Sequence, residues 1–177
     1  MKYVYKIIVA ALTACLIFSQ AVGYAQVQEY ELKAAFLYNV ALFTDWPADT
    51  FEDKDLPFNF CIAGTDPFSN SLDSLLTKLL KQRKISVSRL GKAPNFNNCQ
   101  ILFIPATENN RAEAILKEIK NTSTLTVSED NSTFKKGSML NLSIIENRLR
   151  FQVNMDAVST AKLSISSKLL RLADSVQ

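Results

Sequence analysis

The sequence predicts a single α/β domain: a mixed, mainly parallel sheet with helices on both faces, closed by a C-terminal hairpin and a long C-terminal helix. Three observations carry this expectation. Short, mainly apolar runs such as 58–63 and 100–104 read as strands buried on both faces, the habit of parallel sheets. Longer segments with apolar residues at helical spacing lie between them, and strands alternating with helices argue for a covered parallel sheet. Late in the chain, two strand-like runs flank Glu146-Asn147, a turn pair that adds antiparallel strands.

Each element follows from its own residues. Residues 29–43 read as a helix, with Leu32, Phe36, Val40 and Phe43 on one inward stripe. Asp45-Trp46-Pro47 ends it, because proline disfavours helix in the residue before it. Residues 46–57 are acidic and contain proline, so they read as a loop. Residues 58–63 form a buried strand. In Gly64-Thr65-Asp66-Pro67 a turn leads to an Asp cap with Pro at the first helical position, which predicts a helix to about residue 82. Leu72, Leu75, Leu76, Leu79 and Leu80 would face inward. Residues 84–90 alternate imperfectly, as a strand near an edge does. Residues 100–104 are a second buried strand, closed by Pro105. Residues 108–120 are a charged amphipathic helix presenting Ala112, Ile115, Leu116 and Ile119, and 124–128 a third buried strand. Residues 139–145 and 148–154 form the hairpin. From 155 to 176, Val158, Ala161, Ile165, Leu169, Leu172 and Val176 repeat every three or four residues, which predicts the long final helix.

The N-terminal 25 residues have the three-part form of a secretory signal. Lys2 and Lys6 precede the apolar run from Ile7 to Phe18, and Gly23-Tyr24-Ala25 supplies small residues for cleavage after Ala25. The run is shorter than the roughly 20 residues a spanning helix needs. The expected organisation is a signal peptide over 1–25 and one domain over 26–177, working outside the cytoplasm with no stable membrane insertion after cleavage. The rival reading is a lipoprotein, because Leu12-Thr13-Ala14-Cys15 has the form of a lipobox, although the apolar run continues past Cys15. The formal charge is +3, and removing Lys2 and Lys6 leaves +1. A domain this near neutrality lacks the electrostatic footprint of a nucleic-acid binder.

The chemical inventory favours binding over catalysis. The chain contains no histidine. That removes Ser-His-Asp and Cys-His catalysis in their usual forms, and most zinc sites. Gly64, Gly91 and Gly137 stand alone, so no glycine-rich phosphate loop can be built. Ser-x-x-Lys occurs at Ser132 and Ser159, a spacing that chance supplies in a chain rich in both residues. Asp45, Asp49, Glu52, Asp53 and Asp55 offer oxygen ligands but lack the spacing and central glycine of a calcium loop, so they read as a solvated loop. No catalytic residue, metal site or cofactor is expected. Asn39, Trp46, Gly64 and Arg83 are candidates for ligand or partner contact, beside their ordinary roles in core, turn and cap. Cys61 and Cys99 form an even pair in an oxidising compartment, so a disulfide is expected. Parallel neighbours in register would hold the two apart, so either the strands are staggered or Cys99 lies in a loop folding back over the sheet.

A series of short phrases then stands in fixed order. They are 31–39 (ELKAAFLYN), 43–47 (FTDWP), 61–68 (CIAGTDPF), 99–104 (CQILFI), 125–129 (LTVSE), 148–154 (RLRFQVN) and 163–170 (LSISSKLL). In this order the chain resembles the YfiR family of exported bacterial proteins, over about residues 29 to 174. The resemblance implies an α/β fold, a disulfide between the cysteines at 61 and 99, and members that can form homodimers. It also implies a periplasmic repressor that binds the periplasmic domain of an inner-membrane signalling protein, a diguanylate cyclase in the best-known case, and so limits cyclic-di-GMP and biofilm formation. Some members carry a second cysteine pair on the late hairpin, which this chain lacks. The alternative function is a small-ligand binding or sensory domain, with a cavity near Asn39, Trp46 and Gly64 at the mouth of the sheet.

Overall fold

The computed structural model describes residues 28–177 apart from 52, 54, 92–94 and 97. The signal peptide, its cleavage site, Cys15 and Glu52 lie outside the described residues. Helix α1 spans 28–42. It is followed by β1 (Thr44–Asp45), β2 (Phe58–Ala63), β3 (Leu79–Leu80), β4 (Arg83–Leu90), β5 (Ile101–Ile104), α2 (Ala112–Glu118), β6 (Leu125–Ser128), α3 (Asn131–Lys135), β7 (Leu140–Ile145), β8 (Arg148–Val153), α4 (Met155–Thr160), β9 (Ser164–Ile165), α5 (Ser167–Leu170) and β10 (Ser175–Val176).

Eight strands form one sheet in the order β10-β8-β7-β6-β5-β2-β4-β3, and β1 pairs with β9 in a separate ribbon. The pairings β2 with β4, β2 with β5, β5 with β6, β6 with β7 and β8 with β10 are parallel. Those of β7 with β8 and β3 with β4 are antiparallel. The expected class therefore stands: a mixed, mainly parallel sheet. The hairpin turns at Glu146-Asn147, both with positive φ, as a two-residue turn of that hand requires.

Alternation along the strands divides the core in two. Phe58, Phe60, Ile62, Ile101, Phe103, Leu125 and Val127 face a large cluster that includes Ala34, Leu37, Val40 and Ala41 of α1. Cys61, Ala63, Leu102 and Ile104 face the other way, against Ala112 and Ile115 of α2, Ile119, Phe96 and Cys99. Phe36 extends α1 over the hairpin, its ring 4.8 Å from that of Phe151. The cysteines form the expected disulfide, with Cα atoms 5.7 Å apart. Cys61 lies opposite Leu102, so the strands are not staggered. Cys99 reaches the bond from the segment before β5, where Gln100 and Asn59 exchange hydrogen bonds (Gln100 N–H to Asn59 O, 3.1 Å; Asn59 N–H to Gln100 Oε1, 2.8 Å).

Three expectations are corrected. The helix expected from 66 to 82 is a series of tight turns around a short 3-10 segment, Asp73–Leu75, ending in β3. Its backbone bonds run to the third residue back (Ser71 to Phe68, Asp73 to Asn70, Leu76 to Asp73, Lys78 to Leu75), and Ser69 has a φ of 51°. The Ser74 and Thr77 hydroxyls donate to local carbonyls, the competition that makes such residues poor in helix interiors. Leu72, Leu75 and Leu80 are buried as expected, but Leu76 and Leu79 are exposed.

The long C-terminal helix is likewise replaced, by α4, β9, α5 and β10. Lys162 adopts a φ of 58°, Ser166 caps α5 through its side chain, and β9 leaves to pair with β1. Val158, Ala161, Ile165 and Leu169 are buried, whereas Leu172 and Val176 face out.

Finally, α1 is rotated relative to the expected stripe. Lys33, Ala34, Leu37, Val40 and Ala41 point inward, and Leu32 and Phe43 are exposed. Helix α3 was not foreseen; Asp130 caps it, its carboxylate accepting from the Ser132 and Thr133 N–H groups.

Candidate functional site

The parallel strands run β4-β2-β5-β6-β7, so the chain leaves β2 toward one side and later returns to the other. In open α/β sheets this reversal places a crevice at the carboxyl ends of the central strands, the usual ligand position. Here it lies between Gly64 after β2, residues 105–108 after β5 and Glu129 after β6.

That crevice is occupied by the protein's own side chains. Gly64 has a φ of 65°, and a Cβ at this position would overlap the Glu108 side chain. Glu108 is held there by Arg111 at 2.8 Å. Beside it, Glu129 Oε2 pairs with Lys33 Nζ at 2.6 Å, and its carboxylate also accepts from the Tyr30 hydroxyl and the Ala106 N–H. Lys33 pairs with Glu29 as well, one turn earlier on α1. Burial, and next the adjacent Glu129 carboxylate, push the Tyr30 phenol well above its ordinary pKa. On the outer side, Asp66 accepts from the Phe68 N–H at 2.7 Å and pairs with Arg89 at 2.6 Å. The charged side chains Glu108, Glu129, Lys33 and Asp66 at this crevice are thus paired inside the fold.

The candidates from the sequence separate into two places and a surface. Trp46 and Arg83 are brought together at the opposite end of the sheet, where β2 and β4 begin. Trp46 packs edge-on against Phe58 and Phe51, with centroids 5.1 and 6.4 Å apart, and its indole nitrogen is buried without a hydrogen-bond partner. The Arg83 guanidinium lies 4.6 Å from the Phe51 ring and donates to the carbonyls of Phe51, Asp53 and Leu56. It thereby pins the acidic loop. Gly64 follows β2 at its far end, about 20 Å from Phe58 at the usual rise per residue. Asn39 is exposed on α1. Among the described residues, no group of three or more His, Cys, Asp or Glu is placed to hold a metal.

Two features had no signature in the sequence. The outward face of α1 is mixed: Leu32, Ala35 and Leu42 are exposed at spacings of three and seven, beside the polar Gln28, Glu31 and Asn39. Leu32 and Leu42 are 49% and 44% exposed, and Phe43 beyond them 40%. Tyr38, one turn before Leu42, donates to the Leu79 carbonyl at 3.1 Å, so this strip continues onto the β3 edge with Leu79 and Leu76. The second feature is a polar row across four strands. Ser128, Asn141, Gln152 and Ser175 are register partners from β6 to β10, joined by side-chain hydrogen bonds of 3.2, 3.3 and 3.2 Å. A row drawn from four separated strands leaves no periodicity in any one of them.

This fold and these surfaces define a disulfide-stapled α/β domain whose strand-end crevice holds its own paired side chains and whose first helix exposes Leu32 and Leu42. The chain matches the YfiR/HmsC-like family model over residues 30–174, and it belongs to that family. No curated protein matches it. Among solved structures, a conserved domain protein from Vibrio cholerae O1 biovar eltor str. n16961 is similar at a TM-score of 0.48 and 12% identity, over 68% of this chain. The alignment spans 55% of that Vibrio chain. No helix among the described residues is long and apolar enough to cross a membrane.

Proposed function

We propose that this protein is a periplasmic regulator that represses a membrane signalling enzyme by direct contact with that enzyme's periplasmic domain, and that it is not itself an enzyme. Family membership supplies the class of activity. The observation that carries the reading on this chain is the outward face of α1. A helix whose inward stripe is already satisfied by Ala34, Leu37, Val40 and Ala41 presents a second stripe, with Leu32, Ala35 and Leu42, to solvent. Exposed apolar strips of this kind mark interaction surfaces. Asn39 sits in the middle of the stripe, flanked by Ala35 and Leu42, where it sets the register of a contact that the leucines drive. Repression then needs only a few kcal/mol of preference for the inactive state of the receptor domain.

The experiment is genetic. Deleting the gene raises intracellular cyclic-di-GMP, and plasmid-borne wild-type protein restores it. Leu42→Glu and Asn39→Arg, both at exposed positions, leave the melting temperature unchanged and fail to restore repression. A deletion without effect on cyclic-di-GMP rules out a cyclase partner, and full repression by both variants moves the contact away from α1.

A further inference from the structure

Strands β6 and β7 are paired at one end only. Val127 and Ser128 face Leu140 and Asn141 in register. One step earlier the ladder has stopped, and the Met139 N–H donates instead to the Thr126 hydroxyl at 2.9 Å. Before that point the sheet is split. A groove of about 530 Å³ opens in the split, between α2, the first half of β6, the turn after α3, and α4. The volume lies within the range of small-molecule sites, roughly 300–1,000 Å³.

The lining has two characters. Leu116, Ile119, Met139, Ala157 and Ala161 make an apolar bed. Lys117, Lys120 and Lys136 stand against one acid, Glu113, around it. Lys136 is held by its bond to the Asn109 carbonyl at 2.6 Å. Lys117 and Lys120 are exposed, and their ammonium groups have no partner among the described residues. Three cations to one anion beside an apolar bed select a ligand with an anionic head and a hydrocarbon body.

We propose that this groove binds an amphiphilic carboxylate of the medium-chain fatty-acid class. The chain lies along Leu116, Met139 and Ala157, and the carboxylate pairs with Lys117 and Lys120. The apolar bed removes hydrocarbon from water, the main source of affinity, and the lysine rim sets the sign of the head group. The site is separate from the outward face of α1, and the inference stands whatever the partner of that face.

Calorimetric titration of the exported, signal-cleaved protein with decanoate tests it, at decanoate concentrations below micelle formation. Saturable binding at one site per chain is expected. Decanol should bind roughly tenfold more weakly and decylammonium more weakly still. Lys117→Glu with Lys120→Glu should also weaken decanoate by roughly tenfold. A decanoate analogue carrying a photoreactive diazirine should label residues within 113–126 or 136–161, a readout that needs no variant. Absence of saturable binding, equal affinity for decanol and decanoate, or labelling outside the groove would each overturn the proposal.

Discussion

Lys33 on α1 and Glu129 after β6 meet at 2.6 Å with side chains only 4% and 6% exposed. Through its bonds to Tyr30 and Ala106 as well, the one carboxylate ties α1 to the ends of β5 and β6. A buried charge that loses its partner is expensive, about 3–5 kcal/mol, whereas exchanging both charges for apolar groups of similar size is far milder. Lys33→Met alone should therefore lower the melting temperature by on the order of 10 °C for a domain of this size. Lys33→Met with Glu129→Leu should recover most of that loss. Thermal melts of the two variants decide it: a double variant as unstable as the single one would show that the pair is not the source.

Tyr30 supplies a pH dependence. Its phenol is pushed upward by burial first and by Glu129 second, so the folded protein holds it neutral more firmly than the unfolded chain does. A raised folded pKa contributes stability that is complete below the unfolded value of about 10 and is lost as pH rises through the folded one. The wild-type protein should accordingly lose stability above about pH 10, and Tyr30→Phe should lose less over the same interval. Denaturant midpoints measured on both sides of that pH give the slope, and identical slopes for the two proteins would remove Tyr30 from the account.

The disulfide closes a span of 38 residues and lies within the smaller core cluster. The chain-entropy relation assigns such a loop about 4 kcal/mol. Replacing both cysteines by serine should lower the melting temperature by on the order of 10 °C and abolish any effect of reductant on the melt. A double variant that melts with the wild type would mean that the bond adds nothing to stability.

The strands were legible because a strand buried on both faces is almost wholly apolar, and 58–63, broken only by Asn59, and 101–104 can be little else. The hairpin was legible because two strand-like runs flank a two-residue turn in which Asn147 suits the positive φ it adopts, although Glu146 takes one as well. The two helix errors share one cause. Leucines at spacings of three and four in 66–82, and Val158 to Val176, satisfy a helix and a chain of buried turns equally well. The choice was made by Ser69 and Lys162 entering the left-handed region and by β9 pairing with β1. The rotation of α1 was hidden because Lys33 reads as a solvent-facing residue until Glu129, 96 positions away, is known to meet it. At the site, Trp46 and Arg83 proved to be neighbours, while Gly64 belongs to the other end of β2. Their separation depends on sheet direction, which no local pattern encodes.

Gly64 is required for two reasons, and a double-mutant cycle separates them. Its φ of 65° is open to glycine and costs other residues about 1–2 kcal/mol. A side chain would in addition overlap Glu108, whose carboxylate is itself restrained by Arg111 and largely buried, 13% exposed. Gly64→Ala should thus destabilise by about 2–3 kcal/mol, the conformational cost plus the displacement of Glu108 from its partner. In the Glu108→Ala background the overlap is gone, and Gly64→Ala should cost only the conformational share, about 1–2 kcal/mol. Urea midpoints of the four proteins in the cycle measure the coupling. A cost for Gly64→Ala that is the same in both backgrounds would show that Glu108 swings aside freely, and the crevice would then be open to a ligand after all.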